Sequence, residues 1–188
     1  REVAKKITFP KRAEKIVGTF LSPKKVISKL TLKETRKTMI RNGFTLNMED
    51  IDSEKTNQLA DLLVDTKNVT KLKIKNLKWN ILKSALQSKP ELRFSNLEKL
   101  DLPYNGIDER MIVEINDFLL SRMPRLTRLN LSRNLIGDAG ARAIANSEHM
   151  KNLTSLDLKY NYIGGAGARA IANSEHMKSL TYLNLLDN

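Results

Sequence analysis

The sequence predicts an α/β solenoid, in which short parallel strands line one side, helices line the other, and each strand-helix unit stacks on the next. Three observations carry this. Residues 126–152, LTRLNLSRNLIGDAGARAIANSEHMKN, and residues 153–179, LTSLDLKYNYIGGAGARAIANSEHMKS, align without gaps and agree at 20 of 27 positions. A period of that length marks one supersecondary unit that cannot bury its apolar face alone. The skeleton also extends backward: Leu97, Leu100, Leu102, Asn105 and Ile107 fall in the places of Leu126, Leu129, Leu131, Asn134 and Ile136. Finally, Ala141, Ile144 and Ala145, repeated as Ala168, Ile171 and Ala172, sit at the spacing of one helical face.

From the N-terminus, KRAEKIVGTFL offers Ala13, Ile16, Val17, Phe20 and Leu21 at helical spacing. Ser22-Pro23 is a stop and restart, and Thr31-Leu-Lys-Glu34 is a capping-box signature for another short helix. A basic helical cap is expected over residues 1–41, its helices starting near residue 11, and the repeats over 42–188. The first repeats are Phe44, Leu46 and Ile51, then Val69, Leu72, Ile74 and Trp79. Their Asn column holds Glu49 and Leu77, so no Asn amide can close those turns. Comparable helical faces are Leu59, Ala60 and Leu63, and Ile115 and Leu119. Another copy opens at Leu180, and the sequence stops at Asn188 just after its strand. A truncated repeat array is expected there, with an uncapped edge open to end-to-end self-association.

Within LxxLxL the two apolar positions point to one side of an extended segment, and the residues between them face the other. Asn then suits the turn, because its amide both donates and accepts. This LxxLxLxxNxI pattern resembles the leucine-rich repeat family, and its spacing with a GDAGARAIA helix is similar to the ribonuclease-inhibitor-like class. The resemblance implies a right-handed horseshoe arc with the parallel sheet concave and the helices convex. Cysteine-free, nearly identical repeats of this kind also look like those of bacteria living with eukaryotic hosts. That implies a cytoplasmic protein, or an effector translocated into a host cell.

The chain has no cysteine, which excludes disulfides, thiolate metal sites and a cysteine nucleophile. Of its +12 net charge, +9 lies in residues 1–40, with twelve Lys/Arg against three Asp/Glu. The segment Gly165-Ala-Gly167-Ala-Arg-Ala170 reads as the GxGxxA of a dinucleotide-binding turn. The sister repeat places Asp138 at the position of Gly165, a carboxylate where phosphate would need bare backbone, and no cofactor is expected. Gly137 and Gly164 are instead expected to turn the chain from strand to helix. His149 and His176 are copies of one another within NSEHMK and are assigned no metal, and Met150 and Met177 are expected in the core.

No nucleophile has a base placed beside it, so no catalytic residue is assigned. The function expected is non-catalytic binding of a protein through the concave face. Its inner columns would present Lys71, Lys73, Lys75, Lys99, Arg128, Asn130, Arg133, Asp157, Lys159, Tyr160 and Tyr182, which are the candidate partner-binding residues. The lysines of TKLKIK point to a partner with an acidic surface. Nucleic acid is disfavoured, because the tyrosines lie in the less basic half. The resemblance implies two rivals: regulation of a GTPase, as by the Ran GTPase-activating proteins, and occlusion of an enzyme, as by ribonuclease inhibitors. A basic inner face argues against a ribonuclease as the target.

Overall fold

In the computed structural model, the described residues are 44–49, 51, 53, 56–64 and 69–188. The expected N-terminal helical cap lies outside them. Strands and helices alternate along the chain: β1 (Phe44–Asn47), α1 (Thr56–Val64), β2 (Lys71–Lys75), α2 (Trp79–Gln87), β3 (Lys99–Asp101) and α3 (Glu109–Phe118). They continue as β4 (Arg128–Asn130), α4 (Gly137–Ala145), β5 (Ser155–Asp157), α5 (Gly165–Ala172) and β6 (Tyr182–Asn184). Among the described residues the strands form one six-stranded sheet in the order β1-β2-β3-β4-β5-β6, each neighbour parallel.

The register follows the leucine columns. Leu72, Leu100, Leu129, Leu156 and Leu183 pair in sequence across the sheet, and Phe44 precedes them opposite Leu72. Each row is buried where a strand stands on both sides of it: Leu72, Leu100, Leu129 and Leu156 are all in the core, whereas Leu183 of β6 is exposed. Burying one leucine contributes roughly 1.5–3 kcal/mol, so the repeats stabilise one another rather than themselves. Most of the expected helical-face residues are buried, Leu59, Ala60, Leu63, Ile115, Leu119, Ala141, Ile144, Ala145 and Ile171 among them, whereas Ala168 is half-buried and Ala172 exposed on α5. Met150 and Met177 are also in the core, at the ends of capped single turns in which Ser147 and Ser174 accept from the His149 and His176 amides.

Side chains tie the stack together at the same period. The Thr127, Thr154 and Thr181 hydroxyls donate in turn to the carbonyls of Glu98, Thr127 and Thr154. The Asn column does the same at the turns: Asn134 Nδ2 donates to the Leu102 and Leu131 carbonyls, and its Oδ1 accepts from the Asn105 and Ile107 amides. Asn188 repeats this toward Leu158, Leu185, Asn161 and Ile163. These bonds satisfy main-chain groups that the strand ends would otherwise bury unpaired.

The missing Asn at Leu77 is made good in an unexpected way. Lys78 extends its ammonium to the Glu49 and Ile51 carbonyls at 2.7 and 2.9 Å, and Asn105 Oδ1 accepts from the Leu77 amide. The cross-repeat tie is kept but through different groups: Lys78 donates to carbonyls, while the Glu49 and Ile51 amides, which an Asn oxygen would accept, bond Asn47 Oδ1 and the Met48 carbonyl. The expectation for the turn glycines holds at one position only. Gly137 has φ +60, whereas Gly164 has φ −83, which any residue adopts.

Candidate interaction surface

The face of the sheet turned away from the helices gathers the predicted residues. Lys71, Lys99, Arg128, Ser155 and Tyr182 form one cross-strand row, and Lys73, Asp101, Asn130, Asp157 and Asn184 the next. Lys71, Lys75, Arg128 and Tyr182 are exposed, while Lys73, Lys99, Asn130, Asp157 and Lys159 are half-buried. A shallow cleft of about 120 Å³ lies over β3 to β6, lined by Lys99, Asp101, Arg128, Asn130, Asp157 and Tyr182 among others. Five of the eleven candidate residues therefore line one depression.

The charge on this face is zoned rather than uniformly basic. Lys71, Lys73 and Lys75 stand together on β2, with Thr45 and Asn47 as the β1 neighbours opposite Lys73 and Lys75. One strand further on, Lys99 Nζ lies 3.5 Å from Asp101, whose side chain is only 10% exposed. Asp101 thereby cancels part of the positive charge that a column reading assigns to this strand. Asn130 and Asp157 use one oxygen each to accept the amide two residues on, from Ser132 and Lys159, which stiffens the strand ends. The strand pattern would also put Met48 and Ser132 on the inner columns, but both are buried and do not line the face.

Beyond the strands the chain turns through a left-handed residue in each repeat: Asn76 (φ 52), Tyr104 (φ 60), Arg133 (φ 58), Tyr160 (φ 56) and Asp187 (φ 52). Asn and Asp tolerate this region, but for Tyr and Arg it costs about 1 kcal/mol or more each. The amides of Tyr104, Arg133 and Tyr160 each bond the next repeat, at the carbonyls of Ser132, Lys159 and Leu186. That ladder fixes three long side chains on the rim. Tyr104 is 74% exposed, and the Arg133 guanidinium lies 4.8 Å from the centre of the Tyr160 ring. A hydrogen bond to Asp187, and then that carboxylate's charge, push the Tyr160 phenol above its ordinary range. The sequence pattern puts Tyr104 in the same inner column as Arg133 and Tyr160 without making it a candidate partner-binding residue, and it does not bring out the 76%-exposed Tyr162. The available signal was Asn76 and Asp187, residues tolerant of the left-handed region, in the same column.

The glycine-rich segment binds an anion, but an internal one. Asp138 of the preceding repeat places Oδ1 2.7 Å from the Gly167 amide in the first turn of α5. A Cβ on Gly167 would lie 2.6 Å from that oxygen and 2.9 Å from Ala141 Cβ, so the helices approach too closely for any side chain there. A carboxylate at a helix N-terminus meets free amides and the positive end of the dipole. The place a phosphate would need is filled.

On the helical side Glu114 accepts from Trp79 Nε1 at 2.5 Å and from Lys83 at 3.0 Å. Those two donors, Trp79 first, hold its carboxyl below the usual range. No group of His, Asp or Glu able to hold a metal occurs among the described residues, and none of their helices is long and apolar enough to cross a membrane.

Comparison with known proteins adds three findings. No curated protein matches the chain in sequence. Among solved structures, it is similar to the tropomodulin C-terminal domain of Caenorhabditis elegans, with TM-score 0.41, 13% identity and coverage of 82% of this chain and 79% of that one. It is also similar to actin-binding site 2 of leiomodin-1, with TM-score 0.39, 16% identity and coverage of 84% and 79%. The family model described as Leucine Rich repeat matches residues 123–145 and 149–172, the heart of the twin units. Those segments are leucine-rich repeats, and the parallel sheet with its row of helices is the α/β solenoid that such repeats build.

Proposed function

We propose that the chain is a non-catalytic module that binds a partner protein on the open, concave face of its sheet, in the manner of a ribonuclease-inhibitor-like repeat protein acting in the cytoplasm. The observation that carries this reading is the parallel register, which holds Lys71, Lys73, Arg128, Asp157 and Tyr182 side by side on one rigid surface. Side chains already fixed by their backbone lose little freedom on binding, so a few anchors suffice for affinity. The zoning asks for a complementary partner, with carboxylates facing β2 and a less acidic surface over Asp101 and Asp157.

The test is to capture partners with the full chain and then titrate the purified partner against wild type and a triple variant, Lys71→Glu, Lys73→Glu and Arg128→Glu. Charge reversal at three exposed or half-buried sites is expected to weaken binding at least tenfold, because like charges then face one another. Unchanged affinity would remove this surface from consideration. The exposed Leu183 and Leu186 beside β6 support end-to-end self-association at that edge. Sedimentation velocity over a range of concentrations tests it: Leu186→Lys should abolish any dimer, and a wild type monomeric throughout sinks the idea.

A further inference from the structure

We propose that the rim of turns beside β3 to β5 is a carboxylate receptor, in which Arg133, walled by Tyr160 and Tyr104, takes an acidic segment of the partner protein. This rests on the reading of the neighbouring sheet face as a protein-binding surface and locates its anchor. The first observation is conformational. Tyr104, Arg133 and Tyr160 occupy three consecutive left-handed positions, where the same column elsewhere holds Asn76 and Asp187. The larger residues bury little: Tyr104, Arg133 and Tyr160 are all exposed, the side-chain contacts they make are with one another and Asp187 at the surface, and the ladder bonds use main-chain amides that any residue but proline would supply. Strain kept at exposed positions, with only surface contacts in return, points to what the side chains meet outside the molecule.

The second observation is electrostatic. The guanidinium of Arg133 lies over the Tyr160 ring, 4.8 Å from its centre, a contact that leaves its N–H donors available. Among the described residues Arg133 makes no ion pair, in contrast to Lys83, Lys89 and Lys99. Asp187, the carboxylate on the far side of Tyr160, is engaged by the phenol. A stacked guanidinium with its donors free is pre-organised for a planar, two-oxygen acceptor. Lys159, whose carbonyl bonds the Arg133 amide, adds a second cation from the next repeat.

A protein carboxylate suits this site better than a nucleic acid strand. Successive bases need successive open aromatic faces, and the face of Tyr160 is already covered. A continuous phosphate backbone would also run past Asp101, Asp157 and Asp187, whereas a single acidic side chain meets only Arg133.

The experiment uses the full chain and a labelled peptide of alternating Glu and Ser, with a Gln-for-Glu peptide as control and fluorescence anisotropy as the readout. Arg133→Asn removes the guanidinium and puts a residue tolerant of the left-handed region in its place. It should weaken the Glu peptide about tenfold, the loss of one charge-assisted pair, while melting no lower than wild type. Tyr104→Asn should weaken binding less, again without loss of stability. The proposal is overturned if Arg133→Asn leaves the affinity unchanged while Lys71→Gln, Lys73→Gln and Lys75→Gln together abolish it. In that outcome carboxylates land on β2, and the broader reading of the face survives. It is equally overturned if wild type does not prefer the Glu peptide to the Gln control, or if oligo(dT) binds more tightly than the Glu peptide and loses its affinity in Arg133→Asn.

Discussion

Residues 126–152 and 153–179 are nearly the same sequence, yet they close their turns differently. After Asn161 the left-handed residue is Tyr162, and the Asn161 and Ile163 amides both reach Asn188 Oδ1. After Asn105 the left-handed residue is likewise the next one, Gly106, with the Asn105 and Ile107 amides on Asn134. Between them, after Asn134, Leu135 does not adopt that conformation. Its amide bonds the Ile107 carbonyl instead, and the positive φ moves to Gly137, whose amide bonds the Asn161 carbonyl. Asn161 Oδ1 is then left fully buried with no partner. Leu135 and Tyr162 both disfavour the left-handed region and each copy has a glycine two residues on, so the twins differ in which of the two positions takes the positive φ.

The second difference between the twins is Asp138 against Gly165. The aspartate stabilises the helix of its neighbour, whereas the glycine at the same place in the second copy can offer no carboxylate. These two differences are separable by mutation. The largest effect is expected where the helices touch: Gly167→Ala drives a methyl to within 3 Å of Asp138, Ile163 and Ala141. It should lower the unfolding free energy by about 2–3 kcal/mol, read from urea denaturation. Next, Asp138→Gly, which makes the first copy like the second, removes the cap from α5 and should cost about 1 kcal/mol. Gly165→Asp, the reverse change, should leave stability nearly unaltered, and a large loss there would contradict the assignment of the capping role.

Smaller still is Leu135→Asn, which lets the middle turn follow its neighbours so that the Ile136 amide can donate to Asn161 Oδ1. A gain of up to about 1 kcal/mol is expected, and slower hydrogen exchange at the Ile136 amide is the more decisive readout. The least effect on stability is that of Tyr160. Its phenol is held protonated by Asp187, so the folded form favours the neutral ring. That contribution is fully present below the ordinary tyrosine range and is lost as pH rises through the raised folded value. Asp187→Asn should bring the titration of Tyr160 back toward the ordinary range, as followed by ultraviolet absorbance.

Much of this architecture was legible because the leucine columns obey a two-residue period and the helices a 3.6-residue one. Columns built on Leu72, Leu100, Leu129, Leu156 and Leu183 coincide with the strand register, and the face opposite them holds the expected lysines. What stayed hidden depends on contacts between repeats. Nothing in LKWN announces that Lys78 will reach back to Glu49 and Ile51, because a long side chain can point many ways until a neighbouring turn lacks donors. The pairing of Lys99 with Asp101 is hidden for a similar reason: the two lie two residues apart on one strand, and only the side-chain geometry brings the ammonium back over the carboxylate. The rim conformations of Tyr104 and Arg133 run against residue preference, so only the ladder from the following repeat explains them.

The carboxylate of Asp138 finishes a helix that belongs to the unit after its own, whereas the Asn amides close turns of the unit before theirs. If the unit of α5 peels away, α4 loses the Ser174 hydroxyl from its Ala145 carbonyl and the Gly137 amide loses the Asn161 carbonyl. If α4 melts, α5 loses the anchor of its first turn at the same moment. Each unit thus leans on both neighbours, on an Asn amide from one side and a carboxylate from the other, so a break in the middle of the stack should loosen a turn on one side and a helix end on the other.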